Sequence, residues 1–143
     1  MFDRLKVLLA WLIAATLAYA LASVAHTQTI LAGLGALGVH VGLDARLATT
    51  LGDLAGLWRY ALVIGLALGL GLPIVEVAGR KLPSPVRGAL GGGLAVACAL
   101  LAMKLAFSIT PIASARGAIG FALQCLAGTA GGLAYAWSLE RLR

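Results

Sequence analysis

Lys104-Leu-Ala-Phe-Ser-Ile-Thr-Pro-Ile-Ala-Ser-Ala-Arg116 interrupts two long apolar, glycine-rich runs. Thr110-Pro111 within it suits a helix start, because the hydroxyl accepts from a first-turn amide and proline fits where no amide partner exists. Read as the tip of a helical hairpin, this stretch turns the C-terminal half into two antiparallel spans, at about 86–107 and 112–139. Lys104 and Arg116 are each six residues from Thr110, so the two cations come to a similar depth.

Working outward, the composition points to a membrane. The chain is 62% hydrophobic and 11% charged, with a mean hydropathy of +1.01. A soluble domain carries about 25% charged residues. Apolar runs near 20 residues read as spans, and lipid requires backbone groups to be satisfied within each segment. The short alternating segments of a β-barrel are not visible. The expected fold is therefore an all-α integral membrane four-helix bundle in a single polytopic domain, with spans at about 7–26, 54–78, 86–107 and 112–139.

The first span follows a basic start, Met1 to Lys6. Its apolar core with Ala18-Tyr19-Ala20 imitates a secretory signal; it is read here as a retained helix. From His26 to Ala55 runs the longest connection. Thr27 to Gly38 is expected to form a short interfacial helix, with Asp44 and Arg46 marking an aqueous loop. Thr50-Leu-Gly-Asp53 has capping-box spacing for the second span. Counted from Leu51 that span would be about 42 Å long, forcing tilt or protrusion. Trp58, Arg59 and Tyr60 read as interfacial anchors, Pro73 as a kink and Gly79 as a C-cap. Ser84-Pro85 reads as the cap and first residue of span three. Glu140 to Arg143 reads as a polar tail.

The net charge of +6 comes from cations at the ends of apolar runs, without a basic face, so anionic lipid is the expected partner and nucleic acid is not. With four spans both termini share a side. That side holds seven cations (Arg4, Lys6, Arg80, Lys81, Arg87, Arg141 and Arg143), and the other holds Arg46, Arg59, Lys104 and Arg116. The excess predicts cytoplasmic termini and, in a bacterium, the inner membrane.

Glycines recur four apart at Gly65 and Gly69, Gly88 and Gly92, and Gly128 and Gly132, with Ala14, Ala18 and Ala22 in span one. Such stripes let helices approach closely, inside the monomer, in a homo-oligomer or against a larger membrane partner. Lys104, Arg116 and Arg59, with Thr110, Ser114 and Gln124 as hydrogen-bonding groups, form the expected anion or lipid-headgroup site on the outer face. Asp53 is the acid expected nearby. Gln124 needs a partner in hydrocarbon, and Glu76 is expected to pair with Arg80 at i+4.

No metal or cofactor site is expected. His26 and His40 complete no ligand set, and Cys98 and Cys125 sit in apolar runs as small hydrophobes. Gly-x-Ser-x-Gly, His-Glu-x-x-His and phosphate-loop patterns are missing. The expected function is a non-catalytic accessory, assembly or lipid-binding module. A small transporter or channel lined by Gln124, Lys104 and Glu76 is the alternative. A lipid-modifying enzyme using His26, Asp53 and Arg116 is a second one.

Overall fold

The computed structural model describes residues 2–108 and 112–142, the side chains of Phe2, Asp3 and Phe107 excepted. The elements are α1 (Phe2–Ala36), α2 (Leu43–Gly56), α3 (Trp58–Ala78), α4 (Ser84–Phe107), a 3₁₀ turn (Ala113–Arg116) and α5 (Ala118–Leu142). All but α2 of the five α-helices are long and apolar enough to cross a membrane. The chain is an all-α membrane protein built as a four-helix bundle. Around it α1, α5, α4 and α3 follow in turn, and α3 closes back on α1.

The connection after the first span differs from expectation. The Thr27–Gly38 segment is no separate helix, because α1 runs unbroken for 35 residues, about 52 Å. Thr27 and Thr29 do not interrupt it, since their hydroxyls reach the carbonyls of Ser23 at 3.1 Å and Ala25 at 2.7 Å, one turn back. It stops at Gly38, whose φ of +82° is a left-handed conformation that side chains disfavour. Val39 donates to Leu34 O and Gly38 to Gly35 O, the paired bonds of a Schellman ending.

The helical insertion is instead α2, which holds the Asp44 and Arg46 expected in a loop. It folds back along α1: Gln28 Nε2 donates to Thr50 Oγ1 at 3.2 Å, and Arg46 reaches Gln28 Oε1 at 3.4 Å. Thr50 and Asp53 are no capping box. Thr50 bonds to Arg46 O within α2, and Asp53 accepts from Thr27 at 2.7 Å. A break at Leu57 separates α2 from α3. The second span is thereby cut to 21 residues, about 31 Å, which matches the hydrocarbon core without the expected protrusion.

Other boundaries move less. Gly79 caps α3. Pro83 occupies the cap position of α4, one residue before the expected Ser84, which lies inside the helix. Span four starts at Ala118 rather than near 112, because residues 113–116 form the 3₁₀ turn and Gly117 is extended. Thr110 and Pro111 lie outside the described residues. The expected tail is helical as far as Leu142. Glu76 pairs with Arg87 of α4 at 3.4 Å, not with Arg80, because the last turn of α3 faces the first turn of α4.

Small residues set the helix spacing. Gly88 and Gly92 lie against Gly132 and Gly128; a Cβ on Gly92 would strike the Gly128 carbonyl, and one on Gly132 the Gly88 carbonyl. Ala10, Ala14, Ala18 and Ala22 are all fully buried, and Gly131 packs on Ala14 and Ala18. Gly65 and Gly69 do something different. They make a seat for the Trp11 indole, whose Nε1 donates to Gly65 O at 3.1 Å.

Candidate functional site

At the end of the bundle away from the termini, a set of linked polar side chains forms an inward node and two cations line an outward groove. Gln124 of α5 is fully buried. Its Nε2 donates to Ala22 O of α1 at 3.1 Å and to Ser114 Oγ of the 3₁₀ turn at 3.3 Å. Its Oε1 accepts from Tyr60 of α3 at 2.9 Å. The Ala22 carbonyl only accepts, which fixes the amide orientation and requires the Tyr60 hydroxyl to donate.

His26 extends the node, with Nδ1 3.0 Å from Ser114 Oγ. Ser114 Oγ, which accepts from Gln124 Nε2, thereby joins His26 to the node. Beside it, the Thr27 hydroxyl has one proton for two acceptors, Asp53 at 2.7 Å and Ser23 O at 3.1 Å; the shorter, charge-assisted contact takes it. Ser23 Oγ is buried with no partner among the described residues. In a low-dielectric bundle such a network ties elements together more strongly than in water.

The groove faces the other way. Lys104 and Arg116, both exposed, line one cleft of about 310 Å³ with Leu100, Leu101, Gly117, Ala118 and Phe121. Lys104 lies in the last turn of α4, and Arg116 closes the 3₁₀ turn ahead of α5.

The expected six-residue site is thus not one site. Lys104 and Arg116 share the groove, whereas Ser114 and Gln124 point inward and are buried. Arg59 stacks over the Trp58 ring at 5.5 Å and is not part of the groove lining. Thr110 lies outside the described residues. Asp53 is engaged by Thr27. Glu76 is at the terminal end with Arg87, Gln124 is buried in the node and Lys104 is exposed in the groove.

Two contacts were not anticipated, Tyr60 with Gln124 and His26 with Ser114. Tyr60, expected at an interface, is 4% exposed and faces the core. The signal was available: three consecutive helical residues cannot share a face, and Tyr60 begins the stripe Ile64, Leu68, Leu72, all buried. The approach of His26 to Ser114, 88 residues apart, left no sequence trace. His40 lies beyond the end of α1, with ten residues of helix, about 15 Å, after His26. No group of three metal-ligating side chains occurs among the described residues. Both cysteines are free, and Cys98 lines an apolar groove of about 430 Å³ between α3 and α4.

No protein-family model, curated protein or solved structure matches the chain.

Proposed function

We propose that the chain is a small non-catalytic membrane module, an accessory, assembly or lipid-binding protein that works through its outward faces. The observation that carries this reading is the closed interior. On the terminal side of Gln124, α4 and α5 meet glycine to glycine, and α1 fills the remaining space with alanines and Trp11. The Gln124 amide at the centre of the polar node is engaged by Ala22, Ser114 and Tyr60, as expected of a structural cross-link rather than a binding surface. Ser114 and His26 have the residue types of an acyl-transfer pair, but Ser114 is 3% exposed and its oxygen already accepts from Gln124.

We place this module in a bacterial inner membrane with cytoplasmic termini. The seven cations at the terminal end against four at the far end support that orientation. Membrane lipids, anionic ones above all, are its proposed partners, and a second copy or a larger membrane protein is the further possibility for its apolar α3–α4 groove.

Reconstitution in proteoliposomes tests the reading. Chloride and phosphate flux should stay at the protein-free level. Flux above that level which falls on Gln124→Leu would favour a small-solute transporter and end this proposal.

A further inference from the structure

We infer that the cleft between the far ends of α4 and α5 seats the phosphodiester of an anionic phospholipid, with an acyl chain along its apolar wall. This rests on the lipid-binding side of the proposed function and names the ligand chemistry. Lys104 and Arg116 bring two cations to one cleft of about 310 Å³. Below them Leu100, Leu101 and Phe121 continue the wall toward the middle of the bundle. Such a cleft suits a molecule with an anionic head and an apolar tail; a free anion uses only its charged half.

The two cations have different local surroundings. Lys104, in the last turn of α4, lies where the helix dipole favours a positive charge. Arg116 sits just ahead of α5, where the dipole is positive and a cation is disfavoured. Lys104, Arg116 and the start of α5 therefore add their potentials in the same cleft, and an anion there is attracted by all three. The backbone at Gly117 is open, with nothing within 4 Å of where a Cβ would stand, so a phosphate oxygen has room to approach it.

The test is native mass spectrometry of the full chain released from nanodiscs of mixed phosphatidylglycerol and phosphatidylcholine. Retained phosphatidylglycerol should fall on the order of tenfold in Lys104→Gln/Arg116→Gln. It should stay unchanged in Arg80→Gln/Lys81→Gln, which removes the same charge at the opposite end. Equal retention in the first double variant and the parent chain overturns the inference. Inorganic phosphate added to phosphatidylcholine nanodiscs should leave the melting temperature unmoved. A rise equal to that given by phosphatidylglycerol would assign the cleft to a free anion and overturn the lipid assignment. Should the double variant lose helicity, each single variant is read against salt. Retention in the parent chain should weaken with salt more steeply than in either variant, and equal slopes overturn the inference. None of these outcomes alters the flux measurement.

Discussion

Gly92 of α4 and Gly128 of α5 meet backbone against backbone. A Cβ on Gly92 would fall on the Gly128 carbonyl oxygen, and one on Gly128 would come within 2.5 Å of the Gly92 carbonyl oxygen. The obstacle on each side is main chain, which has no alternative rotamer to adopt. In a membrane, where lipid tails are as apolar as the helices, close packing of this kind drives association.

Gly92→Ala should therefore destabilise the bundle by roughly 1–3 kcal/mol, the range for overpacking a filled site. Gly52→Ala in α2 is the contrasting case, because nothing lies within 4 Å of its added methyl. It should be neutral or stabilising by up to about 1 kcal/mol through helix propensity. Unfolding followed by circular dichroism in mixed micelles compares the two. Equal stabilities for both variants would show that the crossing does not set the helix spacing.

Gln124 links three elements through its one amide. Gln124→Leu matches it in bulk but leaves the Tyr60 hydroxyl without its acceptor, and the expected loss is roughly 1–3 kcal/mol. Pairing it with Tyr60→Phe makes a double-mutant cycle. Once Gln124 is replaced, the second substitution should cost less than it does alone, with a coupling of about 0.5–3 kcal/mol. Strict additivity would count against the hydrogen bond.

The Ser114–His26 contact gives an expectation of coupling. His26→Leu leaves the buried Ser114 hydroxyl without this partner, and a loss of roughly 1–3 kcal/mol follows. Ser114→Ala releases instead a ring that is only half-buried and can turn to water. His26→Leu should thus cost less when Ser114→Ala is already present. Equal cost in both backgrounds, measured by the same unfolding titration, would count against the contact.

The four spans were legible because lipid allows few solutions: apolar run length, terminal cations and turn residues all mark the same segments. The glycines of α4 and α5 were visible as spacing, although spacing alone did not tell a backbone crossing from the Trp11 seat at Gly65 and Gly69. The first connection was misjudged for a local reason. Thr27, Gln28 and Thr29 look like a departure from the membrane, yet Thr29 satisfies its hydroxyl on the preceding turn and Thr27 on Asp53, and α1 continues. The candidate site was legible only by residue type. Six residues on and around the hairpin tip suggested one cluster, but Ser114 and Gln124 turn inward and Lys104 outward. Which way the 3₁₀ turn faces depends on packing against α1 and α5, a long-range effect with no periodic signature.

At the opposite end, Glu76 and Arg87 provide a test of the α3–α4 register. Their side chains are 30% and 18% exposed, and the Arg87 stem lies against Gly79. Arg87→Ala removes this pair and the packing of the stem, and should cost about 1 kcal/mol. Arg80 is exposed, so Arg80→Ala should fall within about 0.5 kcal/mol of the parent chain. The exchange Glu76→Arg with Arg87→Glu should recover part of what either single reversal loses, because the two ends stay within reach. Both single reversals leave like charges facing across the α3–α4 turn. If thermal melts showed Arg80→Ala to be the more damaging change, Glu76 would be pairing along its own helix and the register of α4 against α3 would have to shift.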